Sequence, residues 1–295
     1  MVFEKKYVEG KESLLSVAAI QWEPILGQNE RNRDKLIGLI SKTFKQGAEL
    51  IVTPELSNSG FVFNTRSEAF DCAELIPGGP TTSALGDAAK KANGYLVAGL
   101  LEKENDLIYN AAVLVGPKGY IGKYRKNHLW SIEKTFVEPG NLGLPVFELP
   151  IGRIGLQVCY DGWFPEIARI YALKGVDLIC EPTNWPIAPG IITAENPLSP
   201  LVHMVQAHWN NLFMICADRV GTERGVEFLG HSCICGPGGF IKGPASLDKE
   251  EILVAEINLM DSRRKQWTPY NNPLKDRRTD LFDELLGAEG QARLW

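Results

Sequence analysis

The segment Gly155-Leu156-Gln157-Val158-Cys159-Tyr160-Asp161-Gly162-Trp163-Phe164-Pro165-Glu166 sets the reading of the chain. Residues 153–158 form a buried-type run of strand length that leads straight into a cysteine. Gly162 marks a tight turn. Pro165 then suits the first turn of a helix, where its missing N–H is no loss. A strand, turn and helix in this order lift the Cys159 side chain off the strand end. They also leave backbone N–H groups beside it, near the positive end of a helix. Such groups stabilise a thiolate and then an oxyanion. Taken alone, a cysteine at a strand end fits a plain core residue equally well.

Outward from this segment, strands and helices alternate. Residues 14–21 (LLSVAAIQ) are a nearly continuous apolar run, the mark of a strand buried on both faces. Residues 29–46 place Leu36, Ile40 and Phe44 at helical spacing, and Gly47 is a stop. Residues 49–53 (ELIVT) read as a second strand, ended by Pro54. A helix is predicted over 81–93 and strands over 95–101 and 108–115. The turn Gly116-Pro117-Lys118-Gly119 leads into a strand over 120–124, so the last two strands form a hairpin. A helix over 165–174 and strands over 178–181, 212–217, 230–235 and 252–257 complete the pattern.

No linker-like composition divides the 295 residues, which predicts one α/β domain over 1–295. Its tail, 261–295, is expected to wrap the surface or reach a subunit interface. Residues 183–200 (TNWPIAPGIITAENPLSP) are long for a connection, and their Trp and Ile content predicts the wall of a pocket.

The net charge is −5 and no basic block occurs, which excludes a nucleic-acid partner; Arg277 and Arg278 alone are too little. Apolar runs such as 96–101 fall far short of the about 20 residues that a membrane-spanning helix needs. Residues 1–11 are charged and lack the apolar stretch of a secretory signal, so the expected location is cytoplasmic. The six cysteines fit no zinc or redox spacing and are expected as free thiols. The histidines, His128, His203, His208 and His231, show no ligand spacing, so no metal is expected.

Three further segments carry chemistry. Thr53-Pro54-Glu55-Leu56 puts a carboxylate directly after a buried strand. Gly122-Lys123-Tyr124-Arg125-Lys126-Asn127-His128-Leu129 offers lysines at the exit of a hairpin strand. Ile132-Glu133-Lys134-Thr135-Phe136-Val137-Glu138-Pro139-Gly140 adds a second glutamate. Singly these read as an N-cap or loop charge, a solvated lysine and a surface charge.

Together and in order, the four segments resemble the nitrilase superfamily of carbon–nitrogen hydrolases. That family has a Glu after the second strand, a Lys in an R-K-x-H-L-like segment, a Glu shortly before a P-G pair, and a Cys in a C-x-[DE] elbow. The matching residues are Glu55, Lys126, Glu133 and Cys159, and the resemblance spans nearly the whole chain. It implies a four-layer α-β-β-α sandwich and a homodimer through an outer helical layer, with higher homo-oligomers in some branches. It implies no metal or organic cofactor. Under it, Cys159 is the nucleophile and Glu55 the general base. Lys126 and the backbone N–H of Tyr160 stabilise the oxyanion, and Glu133 orients Lys126 and holds substrate.

Cys159-Tyr160-Asp161 looks like the amidase branches, whereas nitrile-cleaving members usually carry Cys-Trp-Glu. Carbamoylases carry arginines just after the elbow, where this chain has Gly162 and Trp163. The expected substrate is therefore a small-molecule amide, with nitriles and N-carbamoyl amides as alternatives. A non-catalytic binding protein on the same scaffold is the remoter alternative. Trp130, Trp163 and Trp185 are candidate pocket walls, though each also fits plain core. Asn184, just after a strand, is a candidate substrate hydrogen-bond partner.

Overall fold

Buried strands make up most of the chain's centre. The computed structural model describes residues 14–281. In chain order the elements begin with β1 (Leu14–Gln21), α1 (Asn29–Lys45), β2 (Leu50–Val52), α2 (Arg66–Cys72) and α3 (Pro80–Ala92). Next come β3 (Tyr95–Glu104), β4 (Leu107–Gly116), β5 (Gly119–Arg125), β6 (Val146–Leu149), β7 (Gly152–Leu156) and α4 (Pro165–Leu173). Then follow β8 (Leu178–Pro182), α5 (Leu198–Asn210), β9 (Phe213–Ala217), β10 (Thr222–Glu223) and β11 (Val226–Glu227). Last are β12 (Cys233–Gly236), β13 (Gly239–Lys242), β14 (Glu251–Asn258) and α6 (Leu259–Arg263).

Two six-stranded sheets result, ordered β14-β1-β2-β3-β4-β5 and β13-β12-β9-β8-β7-β6. In each, three central strands run parallel, β1-β2-β3 in the first and β7-β8-β9 in the second, and antiparallel strands flank them. The sheets face each other, with β2 on β8 and β9, and β3 on β8. Helices α1 and α3 cover the outside of the first sheet, and α5 with α4 against it covers the second. This is the α-β-β-α sandwich.

The outer core of the first half joins Leu36 and Ile40 of α1 and Leu85 and Ala89 of α3 to Ala18, Ile20, Leu96, Ala98 and Leu100 of the sheet, all fully buried. Removing such side chains from water supplies about 25 cal/mol per Å². Alternate residues of β3 face the other sheet, and there Gly99 is required. A Cβ on it would stand 2.4 Å from Glu55 Cα and 2.9 Å from Pro182 Cβ. The sheets therefore approach closely where Glu55 leaves β2.

Several elements differ from the sequence reading. β7 ends at Leu156, two residues before the expected Val158, and Gln157 still donates its N–H to Cys180 O at 3.3 Å. The stretch over 183–200 is not all pocket wall: α5 begins at Leu198, with Pro200 inside its first turn. The short elements α2, β6, β10, β11 and β13 carry too few residues for a readable period. The chain divides into two compact units, one through Arg263 and one from Arg264. Within the second, Thr268 and Asn271 close a turn, with Asn271 N–H donating to Thr268 Oγ1 at 3.1 Å. Residues 1–11 and the end of the expected tail lie outside the described residues. Among the described residues no helix is long and apolar enough to cross a membrane.

Candidate active site

Four strand ends deliver the expected residues to one place. Glu55 follows β2, Lys126 follows β5, and Cys159 follows β7; Glu133 sits in a short 3-10 turn, Ser131–Thr135. The strand that precedes Asn184 is β8. Ligands of parallel sheets gather at such carboxyl ends. Both turning points are strained: Cys159 has φ 47° and Leu56, directly after Glu55, has φ 48°. A non-glycine residue in this left-handed region costs about 1–3 kcal/mol and persists only where its surroundings enforce it.

At the centre stands Lys126, fully buried. Its Nζ donates to Glu55 Oε1 at 2.7 Å and to Glu133 Oε2 at 2.9 Å. Glu133 Oε2 also accepts the Trp130 N–H at 2.9 Å. Asn110 of β4 donates from Nδ2 to Glu55 Oε1 and to Glu133 Oε1, both at 2.6 Å. Glu55 Oε2 is buried and has no hydrogen-bond partner among the described residues.

Burial raises the Glu55 carboxyl to about 7; Lys126 opposes the rise and Glu133 adds to it. Burial works against the Lys126 ammonium, but Glu133 and Glu55 outweigh it and hold the group well above its ordinary value. Burial, and then the charge of Glu55, push the Cys159 thiol up, with Lys126 pulling the other way. The resting sulfur is therefore a thiol, and it donates to Asn184 O at 3.5 Å. Asn184 Nδ2 in turn donates to Glu55 O at 3.0 Å. Nucleophile and base are thus tied to the same residue of β8's exit.

The elbow itself is pinned by Asp161, which is fully buried. Its Oδ2 accepts Tyr124 OH at 2.7 Å and the Val158 N–H at 3.1 Å, and its Oδ1 accepts the His128 N–H at 3.0 Å. His128 Nδ1 lies 2.8 Å from the same oxygen, and the ring stacks on Phe164 at 3.6 Å. Gly162 leaves no room for a side chain, because a Cβ would meet His203 Nε2 at 2.0 Å. Gln206 of α5 also donates to Gly162 O. His203 Nδ1 is 2.6 Å from Ser199 O, so that nitrogen carries a proton. Its Nε2 stands 2.7 Å from Glu181 Oε1. Cys216 brings a third donor atom within 4.8 Å of these two. The His203–Glu181 spacing is that of a shared proton; two ligands on one zinc ion stand about 3.3 Å apart.

Of the expected pocket walls, Trp130 packs edge-on to Tyr160 at 4.9 Å, beside the elbow. Trp185 is buried, its ring 5.1 Å from His203. Trp163 lines a groove on the outer helices with Pro165, Leu201, Val202, Val205 and Trp209. The turn after Cys159 directs residue 163 outward, which the sequence does not disclose. A separate cavity of about 490 Å³ lies between the loop carrying Glu133 and the elbow, lined by His128, Leu129, Phe136, Tyr160 and Phe164. The sequence does not single out Asn110, Tyr124 or Glu181 for the site. A polar residue within the apolar run of β4 was the available sign for Asn110.

The carbon–nitrogen hydrolase family pattern matches residues 16–265. A protein of Pyrococcus abyssi named nitrilase is 43% identical, over 91% of this chain and 99% of its own. An N-carbamoylputrescine amidase of Solanum lycopersicum is 31% identical, over 95% of this chain and 97% of its own. The crystal structure of a carbon–nitrogen hydrolase from Helicobacter pylori G27 superposes with a TM-score of 0.83 at 29% identity, covering 93% of this chain and 99% of that one. The chain belongs to the carbon–nitrogen hydrolase family, and it is a hydrolase of non-peptide carbon–nitrogen bonds.

Proposed function

We propose that the chain converts a small-molecule amide to a carboxylic acid and ammonia through a thioester on Cys159. Glu55 takes the thiol proton at Oε2, and the sulfur attacks the carbonyl carbon. The resulting oxyanion is held by Lys126 and the Tyr160 N–H. Glu55 returns its proton to the nitrogen, the carbon–nitrogen bond breaks, and ammonia leaves. Water then gives a proton to Glu55 and attacks the thioester; the carbon–sulfur bond breaks and the sulfur recovers the proton. Glu133 keeps Lys126 in place. The supporting observation is the buried Lys126 held 2.7 and 2.9 Å from two carboxylates, beside a thiol that needs a base.

Trp130 and Asn184 are the side chains that this reading sets against substrate. The nitrile alternative gains weight from the Pyrococcus abyssi relative's name; the Tyr160-Asp161 pair after the cysteine favours amides. Ammonia release from matched amides, N-carbamoyl amides and nitriles separates them, and intact-protein mass spectrometry should show an acyl adduct lost in Cys159→Ala. No adduct and no ammonia from any substrate, with Cys159 inert to iodoacetamide, would favour the binding protein.

The partner surface of the proposed homodimer is the outer face of α4 and α5, where Trp209, Leu201 and Leu173 are exposed. The tail from Asp261 is proposed to reach the partner subunit. Six free cysteines suit a reducing, cytoplasmic setting.

A further inference from the structure

Asn110 makes three contacts within the constellation. Its backbone carbonyl accepts the Lys126 N–H at 2.8 Å, and its Nδ2 donates to both glutamates. The amide orientation follows from its neighbours, since an amide oxygen in that position would face two carboxylate oxygens. The residue is fully buried, so water does not replace these bonds at the side chain.

The hydrogen bonds divide the four carboxylate oxygens unequally. Glu133 Oε1 accepts from Asn110, and Oε2 accepts from Lys126 and the Trp130 N–H. Glu55 Oε1 accepts from Lys126 and Asn110, while Oε2 is left without a partner. A proton arriving at Glu133 Oε2 or Glu55 Oε1, each already accepting two bonds, would displace a donor, and at Glu133 Oε1 it would compete with the Asn110 bond; at Glu55 Oε2 it displaces none.

We infer that Asn110 is a positioning residue that confines proton transfer to one atom, Oε2 of Glu55. This rests on the reading of Glu55 as the base. Without the Asn110 amide, Glu55 Oε1 keeps only Lys126, Glu133 Oε1 loses its donor, and Glu55 holds its proton more tightly. The base must be ionised to act, so the acid limb of the activity profile moves to higher pH. Asn110 is not placed against substrate, so kcat should carry the change and KM should not.

The test is the pH dependence of kcat/KM and kcat for wild type, Asn110→Leu and Asn110→Ser, using the amide that wild type hydrolyses best. In Asn110→Leu the acid limb should rise by at least one pH unit, costing about fivefold or more at pH 7 and recovering at higher pH. Asn110→Ser retains one donor and should shift less. If Asn110→Leu does not fold, any upward shift in Asn110→Ser supports the inference. A profile parallel to wild type, lowered uniformly or not at all, overturns it. The wild-type adduct on Cys159 and an inert Cys159→Ala are measured alongside. If those fail, the reading of the site falls and this inference with it; if they hold while the limb stays put, only the inference falls.

Discussion

Glu55 and Glu133 share one ammonium, yet their surroundings give them different work. Glu55→Gln keeps the shape and cannot accept a proton, so turnover should fall by about 10²–10⁴-fold. Mass spectrometry at long incubation should then show no adduct or one that persists; rapid turnover would place the base elsewhere. In wild type, activity should fall as pH drops through about 7, the value to which burial raises Glu55. The same shift has a stability consequence. A folded-state pKa above the unfolded value means stability present at low pH and lost as pH rises through about 7. Thermal melts from pH 5 to 8 should show a smaller decline in Glu55→Gln than in wild type. Lys126→Ala and Glu133→Ala should each cost at least about 10²-fold, and their double variant much less than the product. A double loss equal to the product would show that they act separately. Glu55, Lys126, Glu133 and Cys159 are legible because their order along the chain forms a pattern. Asn110 was not, since nothing in the sequence tells a lone asparagine in an apolar strand which side chains it will meet.

At the scale of elements, legibility followed burial. β1 and the β4–β5 hairpin were readable because long runs of β-forming residues leave no other use for themselves. α5 was hidden by Pro197 and Pro200 at its start, which read as loop until the helix is seen to tolerate them there. That helix matters because His203 and Gln206 brace Gly162. Gly162→Ala drives a methyl group into the His203 ring, and the helix or the elbow must yield. Overpacking of this kind costs about 1–3 kcal/mol. Activity should fall further than that stability loss explains, because the elbow carries Cys159. Equal kcat in a folded Gly162→Ala protein would show that the elbow does not depend on α5. Trp163's outward direction has the same origin, being fixed by the turn and not by residue type.

At the scale of the molecule, the exposed apolar face of α4 and α5 predicts association. Trp209→Glu should shift the particle toward monomer in sedimentation or light scattering, and an unchanged mass would remove this face from the interface. The sandwich fold itself was reached from sequence only through resemblance, because strand order cannot be read from a list of strands. The close approach at Gly99 has one more consequence. Glu55, Asn110 and Lys126 come from the first sheet, whereas Cys159 and Asn184 come from the second. Reaction chemistry tolerates errors of well under 1 Å between such groups, while the hydrophobic contacts holding two layers together survive larger sliding. Ammonia release is therefore a shear gauge: in rising urea it should vanish before the far-ultraviolet dichroism of the sheets changes, as the layers slip past each other while each is still intact.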